Sequence, residues 1–192
     1  MPFLILGLIL FLGAHSVRIL AEDWRARQIA RMGVGGWKGA YSLVSAVGLA
    51  LIVYGYGMTR AAPMQLWNPP SWAPHVTGLL MLPAMILVVA AYVPGNHLKS
   101  VIGHPMLAGV KIWAFSHLLA NGTLADALLF GGFLLWAVFD FRAARRRDRS
   151  TGAARAPATA LGSAIATVIG LAAWGLFVVY LHGVLVGVPL RS

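Results

Sequence analysis

Cysteine is absent from this sequence of 192 residues, and charged residues make up only 10% of it. The lack of cysteine excludes disulfide scaffolds, iron–sulfur clusters, thiolate zinc sites and the covalent attachment of a c-type haem. Globular proteins carry about a quarter charged residues, so this chain has too little polar surface for a soluble domain. Hydrophobic residues make up 59% of the sequence, which indicates an integral membrane protein.

Six apolar stretches approach the length of about 20 residues that a helix needs to cross a bilayer. The predicted spans are residues 2–20, 39–58, 74–93, 105–120, 123–141 and 161–185. Pro105 favours a helix start at the fourth span, and Thr123 is a suitable N-cap for the fifth. We therefore expect an all-α integral membrane protein with six transmembrane helices.

Lysine and arginine are divided unequally between the predicted loops. The loops after the first and fifth spans hold most of them, whereas the loops on the other side carry only Arg60 and the C-terminal end only Arg191. Because cytoplasmic loops are enriched in Lys and Arg, both termini are expected outside the cytoplasm. The formal net charge of +10 is then explained by topology and by contact with anionic lipid headgroups. The arginine run is not interleaved with aromatic residues, so it does not indicate binding to nucleic acid.

The chain is interpreted as a single transmembrane domain over residues 1–192. Within it, residues 1–141 form a five-helix unit and residues 161–188 form the sixth helix. Residues 142–160 between them are expected to form a basic cytoplasmic linker, which ends in a run of small residues typical of flexible connections.

Ionisable side chains inside a bilayer are costly and usually functional, so the few in the predicted spans are candidate site residues. They are His15, Arg18, Lys111, His117, Asp126, Asp140 and His182. Helical side chains lean toward the N-terminus of their own helix, so His15 and His117, on helices of opposite direction, lean toward each other. Both are candidate ligands of one transition metal. His104 lies 13 positions before His117, about 20 Å along a helix axis, which is too far for the two to share a small metal site.

Haem b suits a membrane chain without cysteine, because it needs only axial side-chain ligands and an apolar slot between helices. Its propionates need cationic or hydrogen-bonding partners. Arg18, one helical turn after His15, is the first candidate partner, and Lys111 is the second. Each residue also has a structural interpretation, since an intramembrane histidine can bond a neighbouring helix and Arg18 can extend to the membrane surface.

Five separated blocks of the sequence resemble the NnrU family of bacterial membrane proteins. The blocks are residues 13–18 (GAHSVR), 39–45 (GAYSLVS), 92–96 (YVPGN), 103–107 (GHPML) and 115–122 (FSHLLANG). The resemblance spans about residues 1–148 and continues into the sixth predicted helix. The family includes the plant and cyanobacterial 15-cis-zeta-carotene isomerase, a haem b membrane enzyme with histidine ligation, which this chain resembles more distantly.

Carried over residue by residue, the resemblance implies that His15 and His117 are the axial ligands of a haem b iron. It implies that His104 is a further functional histidine, which we take as a catalytic candidate. It also implies a multi-pass protein of the bacterial inner membrane and a link to nitrite and nitric oxide reductase in denitrification. In that membrane, the distribution of Lys and Arg puts both termini on the periplasmic side. The absence of cysteine near His117 excludes thiolate ligation here.

Three functions remain open at this point. The first is a haem b membrane protein of nitric oxide metabolism, which senses, reduces or relays electrons. The second is a haem-dependent cis–trans isomerase of a polyene such as 15-cis-zeta-carotene, for which an apolar slot within the bilayer is suited. The third is a haem-free assembly factor that docks a partner oxidoreductase. The expected partners are the lipid bilayer, nitric oxide or a hydrophobic small molecule, and such an oxidoreductase.

Overall fold

A computed structural model describes residues 1–155 and 157–187, and this part of the chain is helical without any named strand. Its helices are α1 (Pro2–Leu20), α2 (Glu22–Thr59), α3 (Ala73–Tyr92), α4 (His97–Ile102), α5 (Pro105–Ala120), α6 (Leu124–Thr151), α7 (Ala160–Leu176) and α8 (His182–Val186). A π-helical turn, Phe177–Leu181, joins α7 to α8. The predicted all-α class is confirmed.

Within the described residues, five helical stretches are long and apolar enough to cross a membrane. They are α1, α2, α3, α6 and the continuous stretch Ala160–Val184 that begins with α7. α5 has 16 residues and is about 24 Å long, which is less than the hydrocarbon core of about 30 Å. The chain is therefore a multi-pass membrane protein, and the sixth span stays a prediction.

Two helices extend well beyond their predicted spans. α2 begins at Glu22 and is interrupted at Gly33, whose φ of 75° and ψ of 166° suit only glycine. α6 continues through the arginine run to Thr151, because alanine and arginine are strong helix formers and no glycine or proline intervenes before Gly152. The first ten residues of the predicted linker 142–160 are thus helical. The predicted helix end at residue 188 and the position of Arg191 lie outside the described residues.

Cα packing divides the chain into two compact units. Unit 1 comprises Met1–Asn68 and Asn121–Asp140, and unit 2 comprises Pro69–Ala120 and the chain from Phe141 onward. α6 therefore contributes its first part to unit 1 and its last part to unit 2. The subdivision predicted from the sequence, a five-helix unit, a linker and a sixth helix, stays a prediction.

In unit 1, α1 and α2 approach each other closely through buried glycines. A Cβ atom added at Gly7 would lie 2.6 Å from the backbone nitrogen of Ile52, and one added at Gly48 would lie 2.8 Å from the backbone nitrogen of Phe11. Small residues allow helix backbones to pack closely in membranes. This close packing brings the middle of α2 against the part of α1 that carries His15.

In unit 2, α3 packs against both α5 and α7. The Thr77 hydroxyl donates to the carbonyl oxygen of Ser116 at 2.7 Å, and the Trp174 indole donates to the carbonyl oxygen of Gly78 at 3.0 Å. Both bonds leave α3 within one turn of each other and reach opposite neighbours. The Thr77 bond fixes α5 next to α3 directly before His117, and the Trp174 bond fixes α7 to α3.

Candidate functional site

His15 lies partly buried on α1, in an aromatic cluster formed with α2 and α6 within unit 1. We name the four residues Phe11, His15, Tyr41 and Trp136 the His15 cluster. The His15 ring stacks on Phe11 with the centroids 4.2 Å apart, and its centroid lies 5.2 Å from that of Tyr41 and 5.8 Å from that of Trp136. The imidazole thus has an apolar, aromatic surround on three sides.

A backbone carbonyl fixes the protonation site of the His15 ring. Nδ1 lies 2.7 Å from the carbonyl oxygen of Phe11, four residues earlier. A carbonyl oxygen only accepts, so Nδ1 carries the hydrogen and Nε2 carries the lone pair. Histidines that bind metals typically donate their other ring N–H in this way, so His15 is in the form that a metal ligand needs.

Two buried polar atoms near His15 have no hydrogen-bond partner among the described residues. They are the indole Nε1 of Trp136, a member of the His15 cluster, and the hydroxyl Oγ of Ser45, which lies one turn after Tyr41 on α2. Buried donors in native proteins are nearly always paired. The two unpaired atoms fit a bound group with polar edges, so the residues around His15 are compatible with a haem.

Arg18, the first candidate propionate partner, lies one turn beyond His15 on α1. Its side chain is 61% exposed, and its Nε lies 3.9 Å from a carboxylate oxygen of Glu22. This nitrogen–oxygen distance is at the limit for an ion pair, and exposed ion pairs contribute little to stability. Arg18 is therefore held only weakly, and its role toward a propionate stays a prediction.

His117 on α5 repeats the hydrogen-bond pattern of His15 in unit 2. Its Nδ1 lies 2.8 Å from the carbonyl oxygen of Trp113, four residues earlier, so Nε2 again carries the lone pair. The rings of Trp113 and His117 have centroids 5.6 Å apart. The neighbouring Ser116 is fully buried, and its carbonyl accepts the Thr77 bond that anchors α5 to α3.

The remaining predicted site residues, His104 and Lys111, meet α6 within unit 2. His104 Nε2 lies 3.0 Å from Oδ2 of Asp148. Lys111 Nζ lies 3.7 Å from the centroid of the Phe141 ring, which is a cation–π contact. The structure therefore groups His104 and Lys111 with α6, and it places His15 and Arg18 together on α1.

His97 and the intramembrane aspartate at the start of α6 have structural partners, whereas His75 does not belong to a site among the described residues. His97 Nδ1 lies 2.7 Å from the hydroxyl oxygen of Ser163, and His75 is exposed. Asp126 accepts from the Thr123 backbone at 2.9 Å, a capping box that starts α6. Within residues 1–155 and 157–187, no three His, Asp or Glu side chains are grouped to hold a metal ion.

Sequence reasoning did not single out Tyr41, Ser45, Trp136 or Asp148. Tyr41 and Ser45 lie in the block 39–45 that resembles the family, so that block was an available signal. Asp148 is the single acidic residue within the arginine run 142–149, and this isolation was its signal. Nothing in the sequence distinguishes Trp136 from other membrane tryptophans, because its contact with His15 forms only through the packing of α6 on α1.

The block 92–96 has a structural explanation. Asn96 is buried, and its amide nitrogen donates to the carbonyls of Ala90 at 2.8 Å and Val93 at 2.5 Å, while its Oδ1 accepts from the Lys99 backbone at 2.8 Å. Gly95 before it has a φ of +59°, which favours glycine. This block therefore ends α3 and starts α4 in one tight turn.

These observations define an all-helical, multi-pass membrane protein with two partly buried histidines in the metal-binding tautomer. The family model described as NnrU protein matches residues 3–190, so the chain belongs to the NnrU family. The resemblance carried by the five sequence blocks is confirmed. No curated protein and no solved structure matches the chain.

Proposed function

We propose that this protein binds haem b in the bacterial inner membrane, with His15 and His117 as the axial ligands of the iron, and that it serves denitrification and nitric oxide metabolism. The observation that carries the proposal is the shared state of the two imidazoles. Each donates Nδ1–H to the carbonyl four residues earlier, and each therefore offers the lone pair of Nε2, the atom that haem iron takes from histidine.

The surroundings of His15 support haem more than a purely structural histidine. A structural histidine needs only its helix carbonyl, whereas the His15 cluster adds flat aromatic surface of the kind that packs on a porphyrin. A bound polar group would supply a partner for Trp136 Nε1, which has none among the described residues. Both features indicate a ligand with flat apolar faces and polar edges.

A bound haem would supply redox chemistry and the binding of small gases. Different residues of the chain would hold different parts of it. His15 and His117 bind the iron and keep their Nδ1 protons on backbone carbonyls. Phe11, Tyr41 and Trp136 exclude water on the His15 side. Arg18 and Lys111 are proposed to neutralise the propionates.

The proposal includes six spans with both termini on the periplasmic side. α5 is short, but it packs along α3, a helix long enough to cross the membrane, within the same unit. This packing supports a sixth crossing by α5, and an even number of crossings leaves the two termini on one side. The excess of arginine after α6 supports a cytoplasmic location for that end.

Absorption spectroscopy of the purified full-length protein tests haem binding. We expect a Soret band and a low-spin spectrum, which His15→Ala and His117→Ala each abolish or convert. His75→Ala, which removes an exposed histidine, is the matched control and should keep the wild-type spectrum. A protein without a Soret band would support the haem-free assembly factor, and unchanged spectra in both ligand variants would refute the ligand assignment.

The link to denitrification is tested separately in cells. A strain lacking this gene should reduce nitrite or nitric oxide more slowly under denitrifying conditions. Wild-type protein should restore the rate, and His15→Ala should not. Equal rates in the deletion strain and its parent would refute the link without touching haem binding.

Isomerisation of a polyene is the second candidate function, and an apolar groove along α1 favours it. The groove is open to the surface, has a volume of about 550 Å³, and is lined along one side of α1 from Leu8 to Ala21. An apolar groove suits a long hydrocarbon chain. Pigment analysis of cells that accumulate 9,15,9′-tri-cis-zeta-carotene distinguishes this function, since only an isomerase converts the 15-cis bond.

A further inference from the structure

α5 and α6 meet in two consecutive layers at the arginine-rich end of α6. His104, directly before α5, and Lys111 are seven positions apart, as are Phe141 and Asp148 on α6. Seven residues make nearly two helical turns, so the two members of each pair lie on the same side. The contacts follow this register: His104 meets Asp148, and Lys111 meets Phe141. The Phe141 ring also lies edge-on to His104, with the centroids 6.3 Å apart.

His104 is held in the tautomer opposite to that of the two proposed ligands. Its Nε2–H donates to Oδ2 of Asp148 at 3.0 Å, because a carboxylate only accepts. The lone pair of His104 therefore lies on Nδ1, whereas His15 and His117 carry theirs on Nε2. The side chains of His104 and Asp148 are 28% and 32% exposed, so water and small solutes reach the pair.

The turn that carries His104 is fixed to the end of α6. Gly103 has a φ of +80°, and a Cβ added there would lie 3.6 Å from Oδ2 of Asp148. Arg145 donates to the carbonyl of Ile102 at 3.2 Å. Arg155, beyond α6, donates to the carbonyl of Ser100 at 2.6 Å, so the last turn of α4 is bound from two sides.

We propose that Asp148 is the positioning residue of His104. Its carboxylate orients the imidazole and keeps the hydrogen on Nε2, so Nδ1 is the atom that accepts a proton at this end of α5. In that step an acid gives its proton to Nδ1 and leaves as its conjugate base, and the carboxylate stabilises the imidazolium that forms. The inference rests on the proposed function, in which His104 is the further functional histidine.

The neighbouring charges agree with this role. The groups around His104 are the carboxylate of Asp148, the guanidinium groups of Arg145 and Arg155, and the ammonium group of Lys111 in the next layer. Both arginines bind backbone carbonyls of α4, and Lys111 is over the Phe141 ring. The direct partner of the imidazole is therefore the carboxylate of Asp148.

Nitrogen-15 NMR of the full-length protein, labelled in histidine and reconstituted in phospholipid nanodiscs, tests the tautomer. The signal that disappears in His104→Gln is that of His104, and it should report a hydrogen on Nε2 in the wild type. Asp148→Asn should give a mixed or reversed tautomer, because an amide can also donate to Nε2. Asp148→Glu should restore the wild-type signal, and the matched control Arg145→Gln, which loosens the same turn without touching His104, should leave it unchanged.

Acylation by diethyl pyrocarbonate, followed by mass spectrometry of the peptide that contains His104, tests the reactivity of Nδ1. The rate at His104, measured at alkaline pH so that the imidazole is neutral in every variant, should fall about threefold in Asp148→Asn, which matches a partly exposed ion pair, and recover in Asp148→Glu. Asp148→Ala is the second variant should the asparagine variant not fold. A wild-type tautomer and rate in Asp148→Asn would overturn the proposal, as would equal changes in Arg145→Gln.

The outcome is separable from that of haem binding. The His104 signal and its acylation rate are also measured in His15→Ala, which lacks one proposed iron ligand but keeps the His104–Asp148 pair. A protein that lacks a Soret band but shows the carboxylate-dependent tautomer would refute the proposed function and retain the His104–Asp148 pair. A haem protein whose His104 ignores Asp148 would do the reverse.

Discussion

The hydroxyl of Tyr56 donates to Oδ1 of Asp126 at 2.5 Å, and this bond joins the last part of α2 to the start of α6 in unit 1. The second carboxylate oxygen accepts from the backbone nitrogen and the hydroxyl of Thr123. Asp126 is only 4% exposed. One carboxylate therefore caps α6 and holds α2 to it, so Asp126 has a structural role that needs no cofactor.

Replacement of Asp126 by alanine should lower the free energy of unfolding by about 3 kcal/mol, since it removes the cap and leaves the Tyr56 hydroxyl unpaired. Thermal unfolding in detergent, followed by tryptophan fluorescence, measures the loss. Asp23→Ala, at an exposed position of α2, is the control. A melting temperature equal to that of the control would show that the bond contributes nothing to stability.

Replacement of Gly48 by alanine should separate α1 from α2, because the added Cβ meets the Phe11 backbone nitrogen at 2.8 Å and backbone atoms yield little. The expected loss is about 2 kcal/mol, and if the protein binds haem as proposed, its spectrum should also change, since Phe11 stacks on His15. Gly57→Ala, on the same helix with no atom within 4 Å of its added Cβ, should be neutral or stabilising. Equal stability of the two variants would contradict the close packing.

Trp136→Phe removes the unpaired indole N–H and keeps an aromatic ring. The cofactor-free protein should lose little stability, because no hydrogen bond is broken, whereas haem should bind about tenfold more weakly if the N–H pairs with it. Haem titration followed by absorbance gives the affinity.

Trp174→Phe is the matched comparison for Trp136→Phe. Its indole donates to the Gly78 carbonyl at 3.0 Å, so its loss should lower stability by about 1 kcal/mol and leave haem affinity unchanged. The reverse ranking of the two tryptophan variants would remove Trp136 from the haem site.

Asn96→Ala should destabilise unit 2 by about 3 kcal/mol, since three hydrogen bonds of a buried amide are lost at the turn between α3 and α4. The rate of limited proteolysis at this turn measures the loss of local stability. Asn68→Ala, at an exposed asparagine, provides the comparison. Wild-type resistance in Asn96→Ala would show that backbone bonds alone hold the turn.

The spans were predictable where apolar length and polar loops agree. The predicted helices 2–20 and 105–120 coincide with Pro2–Leu20 and Pro105–Ala120, because a proline marks each start. The extension of α6 to Thr151 was not predicted, since a search for apolar length stops at the first charged residues even where these residues favour a helix.

The candidate site was predictable residue by residue but not in its contacts. Intramembrane position, the ligand chemistry of imidazole and the family resemblance together selected His15 and His117. The direction of a charged side chain depends on packing, so the sequence alone showed Asp148 only as a charged residue within a basic run. In the structure, Asp148 on α6 points toward His104. The aromatic neighbours of His15 come from three helices, which no local pattern brings together.

The hydrogen bonds of His15 and His117 end on main-chain oxygens rather than on side chains. Any amino acid other than one that disrupts the helix supplies that oxygen at positions 11 and 113. Exchange of Phe11 or Trp113 for another residue that keeps the helix intact should therefore leave the orientation of both imidazoles unchanged.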